Sequence, residues 1–306
     1  MNTDQHVDTI AYGSRAAITN VLCGIDLGAG SGQILEYGIA IAGTYSANLY
    51  LAHVVPDLND LLAQPGTATE EQPQIIEKAK VDLSYLAYRH GARPGRSHLL
   101  VNQGDPAETL LRWARQYTAD FIVLGTHGRR GWHRVAMGSV AEEVFRQVTC
   151  PVLTISPRAQ ARPLTFPLRQ LLFPTDFSHE SRCALSYVFS LARDHKAKLT
   201  LVHFIHPDIQ STEERRLIRE SYTAKLRELI SEKPLSSVDV QCLVEFDLVP
   251  EGIMRLAAET DTDMIILGVR GMGALAALES HLPGPIAYGV IADAPCAVLT
   301  IRGSMD

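Results

Sequence analysis

Val21-Leu22-Cys23-Gly24-Ile25-Asp26 and Leu171-Leu172-Phe173-Pro174-Thr175-Asp176 are the two stretches on which the reading of this chain turns. Each is a short apolar run ending in an aspartate, and they superpose without a gap at an offset of 150 residues. The register continues beyond them: Ser31 falls on Ser181, Leu35 on Leu185, Tyr37 on Tyr187, Leu51 on Leu201 and His53 on His203. Further on, with small shifts, Asp120-Phe121-Ile122-Val123-Leu124-Gly125 returns as Asp263-Met264-Ile265-Ile266-Leu267-Gly268, and Val152-Leu153-Thr154-Ile155 as Val298-Leu299-Thr300-Ile301. Order and spacing are both kept, which is the signature of an internal repeat. The stretch from Ser156 to Pro167, rich in Pro, Arg and Ala, reads as the linker. It separates a first domain, residues 1–157, from a second, residues 168–306. Residues before about Thr19 lack periodicity and read as a loose arm.

Each copy alternates strand and helix. In the first, Val21 to Ile25 suits a buried strand, and Ile34, Leu35, Ile41, Ala42 and Tyr45 then recur at helical spacing. Leu49 to Val55 reads as strand, Ile75 to Leu86 as a long helix stopped by Gly91, and Leu99 to Val101 as strand. A helix opened by Pro106 carries Leu110, Leu111 and Ala114, and Phe121 to Leu124 is the next strand. Ser139 to Gln147 reads as helix and Val152 to Ile155 as the last strand. The second copy follows suit, with Ala184, Leu185, Val188, Leu191 and Ala192 on its first helix. Such alternation predicts an α/β fold in each half, a mostly parallel sheet covered by helices on both faces.

The bulk composition narrows the function. The chain's 306 residues are 46% apolar and 20% charged, enough to bury two cores. A net charge of −6 argues against a nucleic-acid partner, which calls for a basic face. No apolar run reaches the roughly 18 residues of a membrane span, and Met1 to Asp8 is polar, without a leader pattern. Cys23, Cys150, Cys183, Cys242 and Cys296 are scattered, with no metal spacing. Cys23 and Cys242 fall inside strand-like runs and Cys150 and Cys296 border them, so they read as buried, inert thiols. A cytoplasmic protein without metal or membrane partner is expected.

The sharpest local feature follows the fourth strand of the first copy. Gly125-Thr126-His127-Gly128 is followed by nine residues and then by Gly138-Ser139, where a helix begins. Glycines admit an anion close to backbone N–H groups, and a helix start adds free N–H groups and the positive end of its dipole. Ser139 can donate its hydroxyl to a phosphate. Ser139-Val140-Ala141-Glu142 is equally a capping box, which a helix uses with or without a ligand. With a flavodoxin-like strand order, Asp26 would line the same crevice as Gly125. Its carboxylate then either accepts from a ribose or an adenine amino group, or caps the following helix. His53 reads as a packing or backbone-bonding histidine, while the backbone of Val54 beside it can read a base edge. Arg129, Arg130, His133 and Arg134 make the loop locally positive, and Trp132 either contacts a partner or packs beneath it.

Taken together, Asp26 after the first strand, His53-Val54 after the second, and G-x-x-G with nine residues to G-S resemble the ATP-binding universal stress proteins. The resemblance spans nearly the whole chain, once per half. It implies two tandem Rossmann-like, flavodoxin-like UspA domains, each a five-stranded parallel sheet of order 3-2-1-4-5, and a role in the stress response. It also implies ATP, with Mg2+, as ligand: adenine near Asp26 and Val54, phosphates on Gly125, His127, Gly128, Gly138, Ser139 and Val140. The chain departs from the pattern at Gly24-Ile25, where many members have Pro-Thr, and at Ala141, where some offer a hydroxyl.

The second copy keeps Asp176, His203 and Gly268-Val269-Arg270-Gly271, but His281 stands where the later glycine belongs. Gly284 comes three residues late and is followed by Pro285, which has no N–H to offer. Asp176, Gly268 and Gly271 therefore mark at most a weak second site, in a half that completes an intramolecular pseudo-dimer; a homodimer of the whole chain is left open. No catalytic set is legible: the P-loop lysine and the G-x-S-x-G elbow are both missing, so slow ATP hydrolysis is the most that is expected. Two other readings stand beside ATP sensing. One is a nucleotide-independent interaction or scaffold protein. The other is an enzyme of the wider adenine-nucleotide α-hydrolase group, for whose additional substrate domain two short halves leave little room.

Overall fold

The computed structural model describes residues 18–56, 72–126, 138–231, 238–270 and 285–303. The first half runs β1 (Asn20–Gly24), α1 (Ser31–Tyr45), β2 (Asn48–Val55), α2 (Gln72–Arg89), β3 (Ser97–Gln103), α3 (Pro106–Gln116), β4 (Phe121–Gly125), α4 (Ser139–Gln147) and β5 (Val152–Ile155). A short helix α5 (Pro157–Gln160) leads into the second half. That half runs β6 (Gln170–Pro174), α6 (His179–His195), β7 (Lys198–Ile205), α7 (Thr212–Ser231), β8 (Val240–Phe246), α8 (Val249–Glu259), β9 (Met264–Arg270), α9 (Pro285–Asp293) and β10 (Ala297–Gly303).

Local chemistry explains the boundaries. Asp105 caps α3 by accepting from the Glu108 N–H at 2.8 Å, with Pro106 at the first helical position, where a missing N–H costs nothing. Ser178 caps α6 in the same way through the Ser181 N–H. The helices α1 and α6 both stop at a left-handed residue, Ser46 with φ 58° and Lys196 with φ 55°.

The strands form one sheet in the order β3-β2-β1-β4-β5-β10-β9-β6-β7-β8. Every described pairing is parallel except that of β5 with β10. The resemblance implied a five-stranded sheet in each half; here the strands of both halves form one continuous sheet. Left alone, β5 would present a row of unpaired N–H and C=O groups, and β10 covers it. The junction is reciprocal: Thr154 opposes Val298, Leu153 opposes Leu299, and Val152 opposes Thr300. Thr154 Oγ1 donates to the Val298 carbonyl and Thr300 Oγ1 to the Val152 carbonyl, both at 3.1 Å. A pseudo-twofold axis therefore passes by Leu153 and Leu299, both fully buried.

Side chains alternate along the strands, so both faces of the sheet are apolar. Val21, Cys23, Leu171 and Phe173 face one way and pack with α1, α2, α6 and α7 in a single core. Leu22, Ile122, Leu172 and Ile265 face the other way and pack with α3, α4, α8 and α9 in a second. Each core crosses the boundary between the halves. The linker is also docked: Ser156 caps α5 and donates its hydroxyl to the Ala294 carbonyl at 2.7 Å, Arg158 pairs with Asp293, and Arg162 with Asp261. Arg302 reaches back to the Phe145 carbonyl near the end of α4, a group that the helix itself cannot satisfy.

The five cysteines are free thiols. Burial pushes Cys23 far above the usual thiol range and Cys150 and Cys296 up to about 12. Among the described residues no helix is long and apolar enough to cross a membrane.

Gly268 in β9 tests how tightly the helical layer sits on the sheet. A Cβ there would meet Ser181 Cα at 2.8 Å and the Glu180 carbonyl oxygen at 2.9 Å, backbone atoms that cannot swing aside. Gly268→Ala is therefore expected to destabilise the protein by about 1–3 kcal/mol in a urea titration. Gly289→Ala in α9, where the nearest atom would stand 3.9 Å away, should instead stabilise it by about 0.5–1 kcal/mol. Equal midpoints for the two variants would refute this account of Gly268.

Candidate functional site

The strand β1 lies between β2 and β4, with Val21 opposite both Leu49 and Phe121. Its own crossover helix packs on one face of the sheet and the helix after β4 on the other. The carboxyl ends of β1 and β4 therefore flank a crevice, the place where open α/β sheets bind ligands.

One wall of the crevice is built by the turn after β1. Ile25 stays paired beyond the strand, its N–H donating to the Ala52 carbonyl at 2.8 Å. Its carbonyl accepts from His53 Nδ1 at 2.7 Å. A carbonyl can only accept, so Nδ1 carries the proton, and buried His53 acts as a backbone clamp. Leu27 then turns the chain at φ 58°. Asp26 braces the turn: the Gly28 N–H at 2.8 Å and the Ser31 hydroxyl at 2.6 Å both donate to its Oδ1. Its Oδ2 takes no bond from the described residues. Asp26 thus caps no amide of α1, whose start has no side-chain cap, but braces the turn before it through Oδ1. Val54 lies in β2 with its side chain buried, opposite Asn102 of β3.

The other wall begins at Gly125, the last residue of β4. Thr126 is buried and its N–H donates to the Ile155 carbonyl at 3.1 Å. The chain re-enters the described structure at Gly138, whose N–H donates to the Thr126 carbonyl at 2.5 Å. The two ends of the loop are thereby tied together, and the Gly138 amide is engaged in the tie. Gly138, at φ −61° and ψ 143°, occupies the cap position of α4, and no side chain caps that helix. The Ser139–Glu142 capping box is therefore not formed. Ser139 is already the first helical residue, and Glu142 pairs with Arg146 at 2.5 Å. The amides of Ser139, Val140 and Ala141 have no acceptor within the helix, since the first intrahelical bond runs from the Glu142 N–H to the Gly138 carbonyl at 2.9 Å. Together with the exposed Ser139 hydroxyl they form a helix start suited to an anion. His127, Gly128, Arg129, Arg130, Trp132, His133 and Arg134 lie outside the described residues, as do Gly271, His281 and Gly284.

The second half repeats the first wall bond for bond. The Thr175 N–H donates to the Val202 carbonyl at 2.9 Å, and His203 Nδ1 to the Thr175 carbonyl at 2.8 Å. Phe177 turns the chain at φ 63°. Asp176 Oδ1 accepts from the Ser178 N–H at 2.9 Å and the Ser181 hydroxyl at 2.7 Å. Partial burial pushes the Asp176 carboxyl up, but the bonds from Ser178 and Ser181 outweigh it and hold the group below its ordinary range. Burial holds the His203 imidazole below the ordinary histidine value, so near neutral pH the ring is uncharged and Nε2 is an acceptor.

The second wall is not repeated. Whereas β4 stops at Gly125, β9 runs on through Gly268 to Arg270, paired with Arg302 and Gly303 of β10. Gly268 thus lies inside the ladder, closed over by the first turn of α6, and serves packing there. The helix α9 begins at Pro285, which has no N–H for an anion. Among the described residues no group of three or more His, Cys, Asp or Glu side chains could hold a metal ion. Two contributors escaped the sequence reading: Ser31, although its match with Ser181 five residues after each aspartate was a usable signal, and Thr126, whose carbonyl anchors the loop.

The universal stress protein family model matches residues 17–156 and again residues 167–302. A universal stress protein of Methanocaldococcus jannaschii is 30% identical over 132 residues, 40% of this chain and 73% of the relative. Among solved structures, a universal stress protein from Archaeoglobus fulgidus superposes with a TM-score of 0.66 at 20% identity, covering 93% of this chain and 98% of that one. A putative universal stress protein from Pseudomonas aeruginosa gives 0.61 at 18% identity, with 94% of each chain covered. These likenesses carry the fold, and the doubled family match agrees with the doubled turn, clamp and sheet. The chain belongs to the universal stress protein family, as two family domains in tandem.

Proposed function

We propose that the first half binds an adenine nucleotide, ATP foremost, and that the protein uses it as a switch ligand in a stress response rather than as a substrate. The observation that carries this reading is the uncapped start of α4 across the crevice from Asp26. Three helix amides and a hydroxyl stand without a side-chain cap, which suits a phosphate chain. Asp26 and Val54 would hold the base side, and Gly125, His127, Gly128, Gly138, Ser139 and Val140 the phosphate side. Gly138 acts by close approach and loop closure, since its own N–H is already engaged. Magnesium would arrive with the triphosphate. The second half, with its strand run-on and Pro285, serves as the paired domain and binds nucleotide weakly or not at all. Five free thiols suit a reducing, cytoplasmic setting.

Two measurements test this. Protein purified without added nucleotide, denatured and chromatographed, is expected to release adenine nucleotide. Mg-ATP at about 100 times its Kd should stabilise the nucleotide-free protein by about 2.7 kcal/mol. Absence of both effects would leave a nucleotide-independent interaction protein as the better reading.

A second test copies the chemistry of the second half into the first. Ser139→Pro removes one amide and the hydroxyl. Proline is tolerated at the first helical position, and Gly138 at ψ 143° already has the extended backbone that a residue before proline requires. The variant should keep its urea midpoint within about 0.5 kcal/mol of wild type. Its ATP affinity by calorimetry should fall at least about tenfold. Unchanged affinity would remove α4 from the site.

A further inference from the structure

The second half has a feature of its own. A cavity of ≈ 370 Å³ opens beside the Asp176 turn, between α6 and α7, away from β9 and α9. Its wall is aromatic. The His203 ring stacks on Tyr222 with centroids 4.4 Å apart and planes at 18°, and Phe177 leans on His203 at 4.8 Å. Two cations border it, Arg182 and Lys225. Lys225 lies 4.5 Å from the centre of the Tyr222 ring, and Arg182 makes one long bond, Nε to the Phe177 carbonyl at 3.3 Å. Neither is within ion-pair distance of a described carboxylate. Of the two acids on the lining, Asp176 already accepts two internal bonds on one oxygen, and Glu228 is exposed.

The matching positions of the first half carry different side chains. At the offset of 150, Phe177 replaces Leu27, Arg182 replaces Gly32 and Ser186 replaces Glu36. Glu36 pairs with His90 at 3.0 Å, and that imidazole lies over Gly32, so close that a Cβ there would stand 2.8 Å from His90 Nε2. An imidazole thus covers the helix position that carries the cation Arg182 in the second half.

We propose that this cavity is a binding site for a small aromatic monoanion of the aryl carboxylate type, separate from the nucleotide crevice of the first half. The ring would stack on the His203, Tyr222 and Phe177 surface, and the carboxylate would sit between Arg182 and Lys225. The volume admits a one- or two-ring ligand. The carboxylates of Asp176 and Glu228 balance the two cations, which favours a single negative charge over a polyphosphate. The second half is then a ligand-binding domain in its own right, so that two different small molecules can bias one sheet.

The test uses the full chain and naphthoate, followed by its own fluorescence. Naphthoate is expected to bind saturably with one site per chain, and neutral naphthol and AMP at least about fivefold more weakly. Arg182→Gln and Lys225→Gln should each weaken naphthoate about fivefold, the scale of one exposed charge pair. Both side chains are exposed, so both variants should keep the wild-type circular dichroism. Ser139→Pro, aimed at the first half, should leave naphthoate binding unchanged, which separates failure of this proposal from failure of the nucleotide reading. No saturable binding by wild type, or wild-type affinity in the Arg182→Gln, Lys225→Gln double variant, would overturn it.

Discussion

The antiparallel pairing of β5 with β10 is the constraint on which the rest depends. Each half by itself would leave its fifth strand as an open edge, with backbone groups exposed and the apolar rims of both helical layers wet. Joining the edges satisfies those groups and lets Leu153 and Leu299 close the seam. The two threonine bonds contribute only about 0.5–1.5 kcal/mol each, so the seam rests on the buried apolar area they register rather than on the bonds themselves. Because each core runs across the boundary, the halves are held as one body.

Within that body the repeat preserved what the backbone requires and varied what a ligand would touch. The histidine clamp, the left-handed turn and the aspartate brace are the same in both halves to within about 0.1 Å, because each satisfies a main-chain group that would otherwise be left unpaired. The parts that diverged are those with no such duty. The start of α4 is uncapped and offers its amides; α9 starts at a proline, which has no N–H to offer. A helix start left without a side-chain cap is a modest cost to the fold and a standing opportunity for an anion.

The divergence is an exchange rather than a simple loss. In the second half the strand continues past Gly268 to Arg270, and the first turn of α6 packs closely on Gly268. The same half replaces Leu27 and Gly32 by Phe177 and Arg182, and a cavity stands beside them. Duplication followed by this kind of trade leaves two domains with one backbone plan and different surfaces.

By itself the sequence determined the repeat, the alternation of strand and helix, and the identity of the paired aspartates and histidines. These are local matters: apolar periodicity and short-range spacing record which residues face a core and where the chain must turn. It could also say that Pro285 weakens the second loop, because a missing N–H is a property of the residue alone. What only the tertiary structure decided was whatever depends on partners distant in the chain. Whether Ser139 caps its helix turned on the Gly138 tie to Thr126; whether Gly268 sits at a mouth or inside a ladder turned on how far β10 extends beside it. Whether the halves share a sheet turned on edge pairing between residues 144 and 148 positions apart, as in the two threonine bonds. Such facts are set by which surfaces meet, and no spacing within one element encodes them.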